Sequence, residues 1–344
     1  MFWKYRNFTI EVVQERRIIV ETVRWGIVGC GDVCEVKSGP GFQKVDGSNL
    51  VMVMRRDRAK AEDFAQRHKV PKWTDQAETV IEDPEVDAVY IATPPSSHCE
   101  LALKVVDRGK PCLVEKPMGM NHAECMRMVA AFQAKDVPLF VAYYRRALPR
   151  FLKVRELLQA GVIGTVTSVH IVHYTPLTTG EKAKGWRYDP AIGGAGVFLD
   201  LASHGLDILD FLVGPIRRIE GFAVNIGGTY EAEDVTGACI EFESACIGTG
   251  IWNFHADHSG DRIVFTGSEG ELQTPVFLNT DIILKKSGKE EAISAPNPPH
   301  VHQPLIQTIV DQLRGRGCCD STGESGARAS WAMDQCLMTY YGSR

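Results

Sequence analysis

Asp200, His204 and Asp207 fall at i, i+4 and i+7 of a segment otherwise rich in apolar residues (Leu199, Leu201, Leu206, Ile208, Leu209, Leu212). A helix over 199–213 therefore carries three ionisable groups on one face. Such a face is either solvated or functional, and an imidazole on it suits general-base work because it titrates nearest neutral pH. A second group of residues suits phosphate binding. Gly29-Cys30-Gly31-Asp32-Val33 follows the apolar run Trp25-Gly26-Ile27-Val28, reading as a strand, a glycine turn and a helix start. This is either an ordinary turn or a dinucleotide site, with Gly29 allowing the tight turn and Gly31 letting the backbone approach a pyrophosphate. The third glycine position of that pattern is Cys34, a departure from it.

These groups need elements to hold them. The run 50–54 reads as a second strand that ends in Arg55-Arg56. In a dinucleotide fold the residue at this strand end, about 20 positions past the glycines, meets the adenosine ribose: an acid takes its 2′-hydroxyl and arginine a 2′-phosphate. The pair favours NADP(H) over NAD(H); the alternative is a solvated strand end. Gly39-Pro40-Gly41 reads as a helix break. Strand and helix then alternate as a parallel sheet with crossovers requires: a helix over 59–68, a strand over 86–92 ending in Thr93-Pro94-Pro95, a helix through His98, and a strand over 112–114 ending in Glu115-Lys116-Pro117. Asn121 and Glu124 have capping-box spacing for the next helix, and a strand over 139–143 closes the unit.

Beyond it, 149–160 reads as a helix stopped by Gly161, and 165–174 alternates as a strand. A polar stretch with Lys182, Lys184, Trp186, Arg187 and Tyr188 leads into Gly193-Gly194-Ala195-Gly196 and is either a lid over a polyol or a surface loop. Strand-like runs over 219–226, 235–243, 246–255, 262–267 and 281–286 suggest a large antiparallel sheet, and 304–313 and 325–340 read as helices that pack back on the body.

A chain of 344 residues with 44% hydrophobic and 24% charged residues is a globular protein of about two domains. Its net charge of −5 gives no reason to expect nucleic acid or an anionic membrane as partner, and no apolar run is long enough to span a bilayer. The ten cysteines include no Cys-x-x-Cys pair and several sit in core-like runs, which suggests reduced thiols in a cytoplasmic protein and no metal site. His170, His173, His255, His258, His300 and His302 likewise lack metal-ligand spacing and read as structural or exposed. Residues 1–21 read as an N-terminal extension, since the run Ile18-Ile19-Val20 after Arg16-Arg17 is too short for a signal peptide.

The combination of Gly26-x-x-Gly29-x-Gly31, Thr93-Pro94 with His98, and Glu115-Lys116-Pro117 resembles the Gfo/Idh/MocA family of nicotinamide-dependent oxidoreductases, from about residue 23 to the C-terminus. The resemblance implies a Rossmann domain over 22–145 and an α+β domain over 146–344 built on a large, mostly antiparallel sheet that serves substrate binding and oligomerisation. It implies that Lys116, before a proline often in cis, reaches the substrate hydroxyl beside the nicotinamide. The segment Gly193-Gly194 to His204 is similar to the family's Gly-Gly-Gly-x-x-x-Asp-x-x-x-His pattern, which places Asp200 and His204 at the substrate. The expected catalytic set is thus Lys116, Asp200 and His204. Gly29 to Val33, Arg55, Arg56, Thr93, Pro94, His98, Glu115 and Lys116 are expected at the cofactor, and Trp186, Arg187 and Asp207 at the substrate. The implied activity is a dehydrogenase or reductase of a sugar, cyclic polyol or diol, in a homodimer or homotetramer. The family also holds nucleotide-binding regulators and redox-neutral glycosidases; the presence of both Lys116 and His204 argues against a regulator.

Overall fold

The computed structural model describes residues 21–343, so the expected extension at 1–21 lies, Glu21 apart, outside the described residues. Six strands form the first sheet: β1 Val23–Val28, β2 Ser48–Met54, β3 Lys72–Thr74, β4 Ala88–Ile91, β5 Cys112–Val114 and β6 Leu139–Val141. Their order is β3-β2-β1-β4-β5-β6 and every pairing is parallel. β4, β5 and β6 are buried at every position. Strands covered by helices on both faces have no solvent side and so lose the alternation of a half-exposed strand. The strand order reverses between β1 and β4, and a crevice opens there at the carboxyl ends. Gly26 lets a crossover helix lie close on β1, since a Cβ there would sit 2.4 Å from Val80 Cγ1.

The second sheet has eight strands: β7 Val166–Pro176, β8 Ile216–Val224, β9 Val235–Phe242, β10 Ile247–Ala256, β11 Gly260–Gly267, β12 Glu271–Thr274, β13 Ile282–Lys286 and β14 Lys289–Ile293. Their order is β14-β13-β12-β11-β7-β10-β9-β8, antiparallel except for β7 beside β10. β8 and β10 alternate buried and exposed, with the buried side under the helix Val197–Val213 and the helix Gly323–Tyr341. The C-terminal helix also packs on the helix His122–Ala134 of the first unit, so it ties the two sheets together.

Local details add to the expectations. The helix break expected at Gly39-Pro40-Gly41 falls between the helices Asp32–Val36 and Gly39–Lys44, and these three residues open the second, because glycine and proline fall in a first turn whose N–H groups need no helical acceptor. Asn121 does cap its helix, accepting from Glu124 N at 3.0 Å, but the Glu124 carboxylate turns to Met120 N, so the reciprocal box is not formed. The short strands β3, β12 and β14 were not expected; with three to five residues each they carry too little pattern to read.

Candidate active site

The glycine turn leaves β1 at the crevice. Gly29 has φ +94°, and a Cβ on it would lie 2.8 Å from Thr93 Cγ2, so both backbone and neighbour demand glycine. Gly29 N and Cys30 N both donate to Met54 O at 2.9 Å, which fixes the turn on the end of β2. A Cβ on Gly31 would meet nothing nearer than 3.9 Å, so the backbone at the start of the helix Asp32–Val36 faces open space. Cys34, at the third glycine position, is buried with its Sγ 3.9 Å from Gly29 O. Arg55 follows β2, is half-buried, and donates from Nη1 to Cys30 O at 3.4 Å; Arg56 beside it is exposed. An open glycine cradle with the Arg55 guanidinium beside it fits a dinucleotide pyrophosphate.

Lys116 leaves the end of β5 ahead of a cis bond to Pro117. Its Nζ lies 2.5 Å from Asp200 Oδ1 and 3.0 Å from Asp200 O, on the helix Val197–Val213 of the second unit. The other carboxylate oxygen of Asp200 accepts from Arg187 Nε at 2.8 Å. Burial pushes the Asp200 carboxyl up, but these two cations outweigh it and hold it below the usual carboxylate range. The helix is fixed at its start by buried Glu233, whose two oxygens each accept from Gly196 N at 3.0 Å and one of which takes the Tyr341 hydroxyl at 2.6 Å. A carboxylate there satisfies an orphan amide and opposes the helix dipole. One turn after Asp200, His204 lies edge-on to Tyr144 and Phe277, with ring centroids 5.2 and 5.9 Å away, and its Nδ1 meets no partner. Burial, then the charges of Arg145 and Lys116, pull its pKa well below 6.5, so the ring is neutral at neutral pH and can accept a proton.

The chain is similar to known proteins. A model of an oxidoreductase family with an NAD-binding Rossmann fold matches residues 23–143, and a GFO/IDH/MocA C-terminal domain model matches residues 151–273. Oxidoreductase P35 of Formosa agariphila is 38% identical over 315 residues, covering 91% of this chain and 97% of its own. The chain belongs to the Gfo/Idh/MocA oxidoreductase family. A trans-1,2-dihydrobenzene-1,2-diol dehydrogenase of Mus musculus is 32% identical, with 78% of this chain and 79% of the relative aligned. Among solved structures, a levoglucosan dehydrogenase in complex with NADH superposes with a TM-score of 0.84 over 92% of this chain and 96% of its own, at 18% identity, which speaks for the fold alone.

Within this family fold, Lys116, Asp200, Arg187 and Trp186 come together. The Arg187 guanidinium stacks 4.5 Å over Trp186, on a segment of short 3₁₀ turns, Gly180–Lys184 and Trp186–Tyr188. Three further expected residues are buried in contacts of their own. Asp207 is fully enclosed and accepts from Arg146 Nε at 2.9 and 3.0 Å, which makes it part of an ion pair. His98 is buried with Nε2 2.7 Å from Thr93 O and Nδ1 3.1 Å from Pro117 O, so it clamps two loops together. Glu115 is buried too: its Oε1 takes the Tyr90 hydroxyl at 2.5 Å and its Oε2 the Lys116 amide at 3.1 Å, which anchors the backbone of Lys116 from behind. Burial raises the Glu115 carboxyl above its ordinary range.

Sequence reasoning passed over Tyr144, Arg145 and Phe277, and read His173 and His302 only as structural or exposed. His302 is buried, with Nδ1 3.8 Å from Glu115 Oε1 and its ring stacked 4.4 Å from that of Tyr144. One signal did point to part of this set: Tyr144-Arg145 follows β6 at the carboxyl edge of the parallel sheet, where ligands bind.

Proposed function

We propose that this family member moves a hydride between NADP(H) and a secondary alcohol or ketone of a sugar, cyclic polyol or diol. One observation carries the reading: Lys116 Nζ, at the carboxyl edge of the parallel sheet, is held on Asp200 from the second unit, one helical turn from a neutral, buried His204. In the oxidative direction, His204 takes the hydroxyl proton while Lys116 donates to the same oxygen and stabilises the developing alkoxide. Asp200 holds Lys116 in place, and Arg187 shares that carboxylate. A bound nicotinamide supplies the hydride acceptor. In the reductive direction the same groups return the proton to the ketone oxygen. The name of the diol dehydrogenase relative supports this substrate range.

Arg55 and Arg56 support a preference for NADPH, and the ten free cysteines among the described residues support a reducing, cytoplasmic setting. The outer face of the second sheet supports a homo-oligomer: Phe222 is 76% exposed, and Ile226, Ile247 and Ile251 are exposed on the same unit.

The test is a screen of sugars, polyols and diols for net NADPH formation, together with titration of NADPH and NADH at low and high salt. NADPH should bind about tenfold tighter or more, with the gap narrowing at high salt because the extra contact is to a phosphate dianion. Equal affinities would remove the NADP assignment. Absence of cofactor reduction across the whole screen would remove the dehydrogenase reading.

A further inference from the structure

Arg145 and Arg146 are neighbours with opposite circumstances. Arg146 meets two carboxylates, Asp207 and Asp210. Arg145 is equally buried, yet no carboxylate lies within 4.0 Å of it among the described residues, and its Nη1 has no hydrogen-bond partner. Its Nε donates to Val276 O at 2.8 Å, and its guanidinium lies between two rings, 4.8 Å from Tyr144 and 4.4 Å from Phe277. Cation–π contact compensates only part of the cost of burying a charge.

Those two rings also locate Arg145, because both lie edge-on to His204. Phe277 also packs on His173 of β7, with centroids 4.6 Å apart; His173 is buried, neither ring nitrogen has a hydrogen-bond partner, and its Nδ1 lies 4.0 Å from Asp261 Oδ1. The nearby Asp261 offers its charge to both groups at a distance, but its oxygens accept from the Val276, Phe277 and Leu278 amides at 2.6 to 2.8 Å and make no hydrogen bond to Arg145. Arg145, Lys116 and Lys37 all act on His204 in the same sense, lowering its pKa after burial has done so. A buried guanidinium with a free donor and no carboxylate in contact, beside imidazole nitrogens without hydrogen-bond partners, suits an anion.

We propose that Arg145, with His173 beside it, is the subsite for a carboxylate on the substrate, which makes that substrate an acidic sugar of the uronic or aldonic type. The inference rests on the dehydrogenase reading above for the position of the reacting carbon, at Lys116 and His204. Arg145 then selects the substrate by its charge, and the bound anion completes the ion pair that the free protein lacks.

The test is binding, measured by calorimetry on the protein saturated with reduced cofactor, so that no turnover intervenes. The probes are D-glucuronate, D-galacturonate and D-gluconate against D-glucose, D-galactose and D-glucitol. The acids should bind about 10- to 100-fold tighter, the range of a hydrogen bond to a charged group. Arg145→Met should bring the two sets within about threefold of each other, and Arg145→Lys should restore part of the gap. Neutral sugars binding as well as the acids in the unaltered protein, or an acid preference that survives Arg145→Met, would overturn the proposal. The unaltered protein decides the matter even if the variant fails to fold. Acid binding without hydride transfer to oxidised cofactor would keep the subsite and sink the dehydrogenase reading, so the two can fail separately.

Discussion

One face of the helix Val197–Val213 does two different jobs. Its first half presents Asp200 and His204 to Lys116 and the aromatic wall, with Nδ1 of His204 left unpartnered. Its second half presents Asp207 and Asp210 to Arg146, and Arg328 closes the network through both Asp210 oxygens at 2.8 Å. All four side chains are buried and stand on successive turns. The difference lies in what the rest of the chain brings to them: full ionic pairing makes a strut, and incomplete pairing leaves groups able to react.

The largest effect comes from removing a group from the reactive half. His204→Asn and Lys116→Ala should each lower kcat by about 10²- to 10⁴-fold, while NADPH affinity stays nearly constant because neither side chain is assigned to a phosphate. With the imidazole pKa pulled well below 6.5, oxidation by the unaltered protein should be flat through neutrality and fall only in acid, and His204→Asn should lack that acid limb. Near-normal turnover with an unchanged pH profile in His204→Asn would make the whole helix face a strut.

Next in size is the strut itself. Arg146→Met leaves Asp207 enclosed without its cation, and breaking a buried pair costs about 3–5 kcal/mol. Denaturant unfolding should register that loss, while kcat of the folded fraction should change far less than in the His204 variant. A variant that keeps its stability and loses turnover would reverse the assignment of the two halves.

The i, i+4, i+7 spacing of Asp200, His204 and Asp207 was legible in the sequence because helical geometry alone decides which residues share a face. Partners were not legible. Arg146 meets Asp207 across 61 positions, Lys116 meets Asp200 across 84, and Asp210 meets Arg328 across 118. The glycine turn, the charged end of β2 and the strands of the first sheet other than β3 were readable because their signals are local: an apolar run, a positive-φ glycine, a charged strand end. Glu115 and His98 were expected at the cofactor from their place in the sequence, while the hydrogen bonds by which they brace the neighbouring loops were not legible there. His302 was out of reach of sequence reasoning, since it meets Glu115 only after the chain has crossed the second sheet and returned.

The smallest predicted effect separates the two halves by the sign of their proton linkage. Burial lowers the pKa of His204 below its unfolded value of 6.5, so as pH falls through 6.5 the unfolded chain binds a proton that the folded protein refuses. Stability must then drop with falling pH, by up to about 1.4 kcal/mol per pH unit for that one group, down to the folded pKa. Buried His98, His173 and His302 are lowered too and add to the same slope. Asp207 runs the other way. Burial, against the pull of Arg146, raises its carboxyl from 3.8 to about 6, so between those values the folded protein holds the proton more tightly and acidification favours folding. In unfolding titrations from pH 7 to pH 4, His204→Asn should therefore flatten the acid loss of stability, and Asp207→Asn should steepen it below about pH 6. Slopes that move in the same direction in both variants would mean that the two halves of the helix sit in one electrostatic environment, and the division between strut and reactive face would fall.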